Sequence, residues 1–206
     1  MLAGTGESTE ALARYKADYL ARTLPKRFEG KILDYGCGIG VVTRAIATRF
    51  ARARVHGFDP SAASIAVASR EEGSGIHYGT SLDSLDSNYD VIFVANVLHH
   101  VPIAERSALL ENLASRLNAD GRLVVLEHNP RNWLVMRILA RHPFDRDAAF
   151  LRHEESVALL ESVNLKAHTD FIVFFPGILK PLRFLEPALR WLPLGAQYVC
   201  VGEAAR

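Results

Sequence analysis

The sequence has few cysteines, almost no net charge and no long apolar run. Its two cysteines, Cys37 and Cys200, lie far apart, which argues against a disulfide framework and fits a reducing compartment. The formal net charge is +1, so no large basic field attracts nucleic acid. The most apolar stretch, Phe171–Leu179, is interrupted by Pro176, whereas a membrane-spanning helix needs about 20 apolar residues.

The N-terminal residues Met1–Glu10 lack the basic start and apolar core of a signal peptide. We therefore expect a cytoplasmic protein. The 206 residues, 49% of them hydrophobic and 23% charged, are typical of one globular domain. Such a domain buries its core without disulfides or structural metal.

Apolar runs alternate with amphipathic stretches through the first two thirds of the chain. This alternation predicts a parallel sheet with helices on both faces, and right-handed crossovers favour a doubly wound fold. The predicted strands are Lys31–Tyr35, Val55–Phe58, Ile76–Tyr78, Tyr89–Ala95 and Arg122–Glu127, and the predicted helices are Glu10–Leu24, Val41–Phe50, Ala62–Arg70 and Ile103–Leu117, with a turn at Asp120-Gly121.

The last third has a different pattern. Asn129–Phe150 is expected to be irregular, and Glu154–Val163 is predicted to be a helix. Lys166–Phe175 and Gln197–Gly202 are predicted to be antiparallel neighbours. The predicted fold is therefore α/β and doubly wound, with a mostly parallel seven-stranded sheet and an antiparallel C-terminal hairpin.

The strongest motif is Ile32–Gly40 (ILDYGCGIG), between the first strand and the first crossover helix. Glycines let the backbone turn tightly and bring a ligand against the main chain, beyond the carboxyl ends of the strands. The spacing is G-x-G-x-G, and Val41 occupies the third glycine position of the dinucleotide motif G-x-G-x-x-G. Asp34 would repel a pyrophosphate but suits a ligand that carries an ammonium and a sulfonium.

Asp59 follows at the end of the second predicted strand. A carboxylate there accepts hydrogen bonds from the vicinal hydroxyls of a ribose. A cap or a turn residue is the alternative interpretation for both Asp34 and Asp59. Together the two motifs predict a ligand that has a ribose and no phosphates nearby.

At these residues the sequence resembles the class I S-adenosylmethionine-dependent methyltransferases of small molecules. The resemblance rests on four motifs in order and covers residues 30–130 well and the C-terminal hairpin loosely. It implies S-adenosylmethionine as the methyl donor and S-adenosylhomocysteine as the product. The motifs are the glycine-rich Ile32–Gly40, Gly57–Ser61 (GFDPS), Val97–Val101 (VLHHV) and Gly121–Val125 (GRLVV).

The resemblance also implies a set of donor-binding residues. One departure concerns adenine, because many relatives carry Gly-Asp after the third strand, whereas here Gly79 is followed by Thr80 and Ser81. A hydroxyl or backbone contact could substitute there. On the N-terminal helix, Tyr15 or Tyr19 is expected to close over the donor, with plain packing as the alternative. The implied residues are Asp34, Tyr35, Gly36, Cys37, Gly38, Gly40, Asp59, Pro60, Thr80, Ser81, Asn96, Val97 and Tyr15.

Methyl transfer to oxygen can require a general base beside the acceptor. His99 and His100 follow the fourth predicted strand and His128 follows the fifth, so all three are catalytic candidates at the carboxyl edge of the sheet. Structural packing is the alternative for each. His153 lies near the last crossover helix. No His-x-x-x-His or Cys-x-x-Cys spacing occurs, so no metal site is predicted.

The acceptor is predicted to be a small molecule, most simply methylated on oxygen. Asn96-Val97-Leu98-His99 stands where nucleic-acid amino methyltransferases carry N-P-P-[YF]. An anionic acceptor would suit the arginines that follow the fifth strand, although Asp145-Arg146-Asp147 could instead be an ion-pair cluster. Those arginines are Arg131, Arg137, Arg141, Arg146 and Arg152.

Residues 177–194 are apolar and broken by prolines. They are expected to cover the pocket or the sheet, with a membrane surface or a dimer face as alternatives, so the chain is predicted to be a monomer or a homodimer. We expect one domain over 1–206, with an N-terminal helical lid (1–28), a donor-binding core (30–128) and an acceptor-side insertion with the hairpin (129–206). Alternative functions are a catalytically silent donor-binding regulator, a methyltransferase of a lipid-linked acceptor, and a nucleotide-cofactor oxidoreductase.

Overall fold

A computed structural model describes residues 8–70, 75–140, 148–175 and 177–204. Its helices are α1 (Thr9–Thr23), α2 (Val41–Arg49), α3 (Ala62–Ala68), α4 (Arg106–Ala114), α5 (Trp133–Leu139), α6 (His153–Ser162) and α7 (Glu186–Leu189). Its strands are β1 (Lys31–Tyr35), β2 (Arg54–Phe58), β3 (His77–Gly79), β4 (Tyr89–Ala95), β5 (Leu117–His128), β6 (Leu165–Ile172) and β7 (Gln197–Ala204). Short 3₁₀ segments lie at Leu82–Ser84, Leu98–His100, Ile103–Glu105 and Gly177–Leu185.

The seven strands form one sheet in the order β3-β2-β1-β4-β5-β7-β6. β1 is parallel to β2 and to β4, and β2 is parallel to β3, whereas β7 is antiparallel to both β5 and β6. The predicted α/β fold, mostly parallel with an antiparallel C-terminal hairpin, is therefore confirmed. In the register, Tyr35 lies opposite Phe58 and Phe58 lies opposite Gly79, so β1, β2 and β3 end at the same edge.

The chain divides into two compact units. The N-terminal unit contains Ser8–Ala95 and Arg116–Gly121, and the C-terminal unit contains Asn96–Ser115 and Arg122–Arg206. The single domain with a lid, a core and an insertion stays a prediction. Among the described residues, no helix has the length and apolar character that a bilayer crossing requires.

The core of the N-terminal unit is built from strands that are buried on both faces, as expected for parallel strands covered by helices. Ile32 and Leu33 of β1 are 0% exposed, as are the four residues Val91–Val94 of β4. The helices begin at side-chain caps that satisfy their first amide groups. Ser8 Oγ accepts from Ala11 N at 3.1 Å, and Ser61 Oγ accepts from Ser64 N at 3.2 Å.

The core of the C-terminal unit combines apolar strand residues with buried hydroxyl contacts. Leu123–Leu126 of β5 and Tyr198 of β7 are 0% exposed. The Tyr198 hydroxyl lies 2.7 Å from Ser156 Oγ on α6 and donates to the Leu151 carbonyl at 3.1 Å. These contacts fix α6 and the segment before it to β7.

The predicted helix Ile103–Leu117 is too long, and the predicted turn at Asp120-Gly121 is wrong. After the 3₁₀ segment, α4 ends at Ala114, and β5 already begins at Leu117. Two contacts hold this polar start of the strand: Tyr89 N donates to the Arg116 carbonyl at 2.9 Å, and Asn118 Nδ2 donates to Asp90 Oδ1 at 2.8 Å. The strand is set by these distant partners rather than by an apolar pattern.

The expected irregular stretch Asn129–Phe150 contains a helix. Asn132 Oδ1 accepts from Val135 N at 3.2 Å and caps the seven-residue helix α5. The predicted cluster Asp145-Arg146-Asp147, together with Arg141, lies outside the described residues.

The predicted strand Lys166–Phe175 is also displaced, since β6 ends at Ile172. The next residue, Val173, has φ 60°, a left-handed conformation that interrupts a strand. β7 begins at Gln197 as expected but continues to Ala204.

Candidate functional site

The glycine loop between β1 and α2 depends on left-handed backbone. Gly36, Gly38 and Gly40 have φ values of 75°, 54° and 79°, which non-glycine residues adopt only at a cost. Gly36 N and Cys37 N both donate to the Phe58 carbonyl, at 2.7 and 2.8 Å. The loop is therefore folded onto the end of β2.

The loop has no space for a side chain at Gly40 but has open space at Gly38. A Cβ on Gly40 would stand 2.6 Å from the Tyr78 hydroxyl oxygen, whereas a Cβ on Gly38 would meet no described atom within 4 Å. A ligand can therefore approach the main chain closely at Gly38.

Asp59 joins this loop to the start of α3. Its Oδ2 accepts from Gly38 N at 2.9 Å and its Oδ1 accepts from Ser61 N at 2.9 Å. The side chain is partly exposed and is followed by the exposed Pro60. Because a carboxylate offers about four acceptor positions, Asp59 can hold the loop and still accept hydrogen bonds from two hydroxyl groups.

Asp34 lies within β1 and is 2% exposed. Thr43 Oγ1 on α2 donates to its Oδ2 at 2.6 Å. Burial raises the pKa of Asp34 to about 6, and the Thr43 hydrogen bond and the positive charge of Lys16 oppose that rise. Asp34 therefore ties β1 to α2 and is charged above about pH 6.

Two further loop residues flank the glycines. The Tyr35 ring stacks on the Phe58 ring, with centroids 4.8 Å apart. Cys37 is buried, and that burial raises the pKa of its thiol to about 12, so it remains a neutral thiol at physiological pH. The donor contacts assigned to Asp34, Tyr35 and Cys37 stay predictions.

The predicted adenine region and the predicted lid also lie in the N-terminal unit. Thr80 and Ser81 are exposed directly after β3, and Ser81 Oγ accepts from Asp83 N at 3.3 Å. On α1, Tyr15 is half-buried and Tyr19 is 2% exposed. The contacts of Thr80, Ser81 and Tyr15 with the donor stay predictions.

In the C-terminal unit, Glu127 organises the loop that follows β4. Its Oε1 accepts from Val97 N at 3.0 Å and from Leu98 N at 2.8 Å. Its Oε2 lies 2.5 Å from His99 Nδ1, and both side chains are 1% exposed. Since a carboxylate only accepts, the hydrogen of this contact is donated by Nδ1.

The structure brings all three predicted histidines together. The His99 ring centroid lies 4.1 Å from that of His100, 5.7 Å from that of His128 and 5.2 Å from that of Phe150. His100 is exposed, His128 is buried and Phe150 is half-buried. We call these four residues and Glu127 the histidine cluster. Among described groups of His, Cys, Asp and Glu, none of three or more is arranged to hold a metal ion.

Hydrogen bonds to main-chain carbonyls hold the segment around Phe150 against the loop that follows β4. Ala149 N donates to the His99 carbonyl at 2.9 Å. The buried Arg106 donates from Nη2 to the Ala149 carbonyl at 2.7 Å and from Nε to the Val101 carbonyl at 3.0 Å. His153 lies elsewhere, with its ring 5.0 Å from that of Phe171.

Asn96 marks the turn out of β4. It has φ 59°, which asparagine tolerates better than most residues. Its N–H donates to the Leu126 carbonyl at 2.8 Å, and its Oδ1 accepts from Gln197 Nε2 at 3.2 Å. The contacts of Asn96 and Val97 with the donor stay predictions.

Sequence reasoning missed two members of the histidine cluster, Glu127 and Phe150. An acidic residue at the end of the apolar run Leu123–Leu126 was a usable signal, because a buried charge requires partners. No comparable signal pointed to Phe150, which is the last residue of the stretch Asn129–Phe150 that was expected to be irregular.

Part of the chain matches a known protein family. Residues 33–123 match the family described as a methyltransferase domain. This range begins in β1, includes the glycine loop, Asp59, Thr80, Asn96 and His99, and ends within β5.

The chain is 32% identical over 125 residues to a ubiquinone biosynthesis O-methyltransferase of Idiomarina loihiensis, an alignment that covers 56% of this chain and 50% of the relative. The chain thus spans about half the length of the curated relatives it matches.

Among solved structures, a SAM-dependent methyltransferase from Archaeoglobus fulgidus has a TM-score of 0.70 at 15% identity, with 95% of each chain covered. Magnesium protoporphyrin IX methyltransferase from Synechocystis, solved with bound SAM, has a TM-score of 0.61 at 17% identity, with 99% of this chain and 88% of that chain covered. At these identities, the likeness shows a shared fold.

Proposed function

We propose that this chain, whose residues 33–123 match a methyltransferase domain, uses S-adenosylmethionine as its donor and transfers the methyl group to an oxygen of a small-molecule acceptor. The sulfur–methyl bond breaks as the oxygen–methyl bond forms, and the acceptor proton moves to a base. The product of the donor is S-adenosylhomocysteine.

The proposed donor site lies at the glycine loop. Its support is the open main chain at Gly38 together with Asp59, whose carboxylate has acceptor positions left for ribose hydroxyls. The charge of Asp34 would favour the cationic donor above about pH 6. The remaining predicted contacts from Tyr35, Gly36, Cys37, Gly40, Pro60, Thr80, Ser81, Asn96, Val97 and Tyr15 are part of this proposal.

The contact between His99 and Glu127 is the main observation in support of methyl transfer to an oxygen atom of the acceptor. A hydroxyl group becomes a better nucleophile when a neutral imidazole takes its proton. Because Glu127 Oε2 lies 2.5 Å from His99 Nδ1, this contact orients the His99 ring. We assign the contact with the acceptor to the exposed His100, and a positioning role to His99. His128 and Phe150 form the wall beside them.

The type of acceptor draws support from the relatives. The relative from Idiomarina loihiensis is by name an O-methyltransferase, and a small-molecule acceptor suits the near-zero net charge. An anionic acceptor would use the exposed Arg137 or Arg152, since Arg131 pairs with Glu154. The oligomeric state and the cytoplasmic location stay predictions.

A methyl-transfer assay tests the proposal. The purified chain is incubated with methyl-labelled S-adenosylmethionine and with separate sets of phenols, alcohols, carboxylic acids and amines. We expect label on a hydroxyl or carboxyl oxygen. His100→Ala should lower kcat by about 10²- to 10⁴-fold, the usual contribution of a general base, without weakening S-adenosylhomocysteine binding.

His168→Ala is the matched control, because His168 is an exposed histidine of β6. Its activity should equal that of the unchanged chain. Label found on nitrogen alone, or full activity in His100→Ala, would contradict the oxygen acceptor and the assigned base.

A further inference from the structure

Large apolar side chains are exposed in two segments of the C-terminal unit. Trp191 and Phe184 are each 74% exposed, and Trp133 is 71% exposed. Several large apolar side chains with this degree of exposure mark an interaction surface more often than an ordinary face. We define the apolar surface by Trp133 and Leu134 on α5 and by Leu179, Leu182, Phe184, Leu185, Trp191 and Leu194 in residues 177–194.

Hydrogen bonds hold the two segments of this surface together. Asn129 Nδ2 donates to the Pro193 carbonyl at 3.1 Å and to the Gly195 carbonyl at 2.8 Å. Asn132, the cap of α5, donates from Nδ2 to the Leu194 carbonyl at 2.8 Å. The start of α5 is therefore fixed to the end of the second segment.

The second segment is anchored in the fold rather than loosely attached. Glu186 is 3% exposed, and its Oε1 accepts from Phe174 N at 3.0 Å and from Phe175 N at 3.2 Å. Phe171 N donates to the Arg190 carbonyl at 2.7 Å. Buried polar contacts thus hold the backbone while large apolar side chains remain exposed to solvent.

Basic residues predominate in the two segments of the apolar surface, and of these Arg131 pairs with Glu154 and Arg190 pairs with Asp170. The segments 129–140 and 177–194 contain Arg131, Arg137, Lys180, Arg183 and Arg190, and their only acidic residue is the buried Glu186. A second copy of this chain would bring the same cations against it, which disfavours self-association. Basic residues among Trp, Phe and Leu instead match an anionic lipid surface, where tryptophan favours the headgroup level.

We propose that the apolar surface docks the protein on the face of an anionic lipid bilayer. The exposed Phe184, Trp191 and Leu194 enter the interface, and the exposed Lys180 and Arg137 face the phosphate groups. The proposal goes beyond methyl transfer and does not depend on the identity of the acceptor.

The two tryptophans of the chain supply the probe, because both belong to the apolar surface. The full chain is mixed with phosphatidylcholine vesicles, with and without phosphatidylglycerol, and both tryptophan emission and co-sedimentation are followed. We expect a blue shift and co-sedimentation with the anionic vesicles only. Both should weaken as salt screens the charges.

A double variant tests the surface itself. Phe184→Ser with Trp191→Ser should lower the partition into anionic vesicles by about 10-fold or more, since two large apolar side chains no longer leave water. Ile103→Ser is the matched control, because Ile103 is 73% exposed in the same unit but outside the apolar surface. Lys180→Gln should lower the partition by about fivefold, the usual effect of one basic residue near such a membrane.

Three results would overturn the proposal. One is the absence of binding to anionic vesicles, and another is equal binding to neutral and anionic vesicles. The third is a blue shift that grows with protein concentration without vesicles, which would assign the surface to self-association. S-adenosylhomocysteine affinity and far-UV circular dichroism, measured on each variant, distinguish a lost surface from a lost fold.

Discussion

The glycine loop and the histidine cluster are built in different ways. The loop is a short run of chain whose shape comes from three left-handed glycines and from one carboxylate, Asp59. The cluster brings together side chains from His99 to Phe150 around the buried Glu127. The loop therefore acts through its backbone, whereas the cluster acts through side chains that only the tertiary fold places in contact.

Turnover should depend strongly on Glu127. Glu127→Gln keeps an acceptor for Val97 N and Leu98 N but removes the charge that holds the His99 ring, so kcat should fall about 10²-fold or more. S-adenosylhomocysteine affinity should stay within about twofold if the loop and the cluster act separately. Steady-state kinetics and calorimetry measure the two quantities.

Glu161→Gln is the control, since Glu161 is an exposed residue of α6. A parallel loss of donor affinity and kcat in Glu127→Gln would show that the two regions are not separable.

Two alanine variants test whether the glycine loop depends on its left-handed backbone. Gly40→Ala should lower the free energy of unfolding by about 2–4 kcal/mol, because a left-handed backbone and a crowded Cβ both oppose it. Gly38→Ala should lower it by only about 1–2 kcal/mol, since the left-handed backbone alone opposes it. Donor affinity should nevertheless drop in Gly38→Ala, where the ligand approaches.

Urea unfolding and calorimetric titration separate these effects on stability and on binding. Equal stability losses in Gly38→Ala and Gly40→Ala would mean that Tyr78 does not limit the loop. Undiminished donor affinity in Gly38→Ala would place the ligand elsewhere.

Asp34 gives the loop a pH dependence. Its pKa is raised from 3.8 to about 6 by burial, so its contribution to stability is full below pH 3.8 and is lost as the pH rises through about 6. Asp34→Asn should therefore gain stability relative to the unchanged chain as the pH rises from 4 to 7, by up to about 3 kcal/mol.

Donor binding should have the opposite dependence on pH. The unchanged chain should bind S-adenosylmethionine more weakly below about pH 6, where Asp34 is neutral, and Asp34→Asn should lose this dependence. Urea unfolding and titrations between pH 5 and pH 8 are the measurements. An Asp34→Asn variant with an unchanged pH profile would remove Asp34 from the donor site.

Asp59 should contribute to donor affinity through the proposed ribose contact. Asp59→Ala should weaken donor binding by about 1–3 kcal/mol, the scale of hydrogen bonds to a charged group, and Asp59→Asn by less. Asp18→Ala is the matched control, because Asp18 is an exposed carboxylate of α1. Unchanged affinity in Asp59→Ala would mean that the ribose site is misassigned.

The sequence was most informative where neighbouring residues determine the structure. The bounds of β1 and β4 and the position of the glycine loop agree with the predictions, because apolar runs and glycine spacing are local signals. The polar start of β5 was missed, since Asn118 is held by Asp90 from another strand.

The candidate site shows the same contrast between features set by neighbouring residues and features set by distant partners. Asp59 and the three loop glycines could be identified from spacing alone. The contact of His99 with Glu127 could not, because the two residues are 28 positions apart and their partnership depends on buried backbone amides. Likewise, helix α5 depends on the Asn132 cap, and Asn132 in turn donates to the distant Leu194 carbonyl.

The most direct test of the whole account is a calorimetric titration of the chain with S-adenosylmethionine and S-adenosylhomocysteine, with NADH as the control. We expect micromolar binding of the adenosyl ligands, weakened in Gly38→Ala and Asp59→Ala, and no binding of NADH. Absence of adenosyl binding, or binding of NADH in its place, would contradict the assignment of the glycine loop as a methyl-donor site.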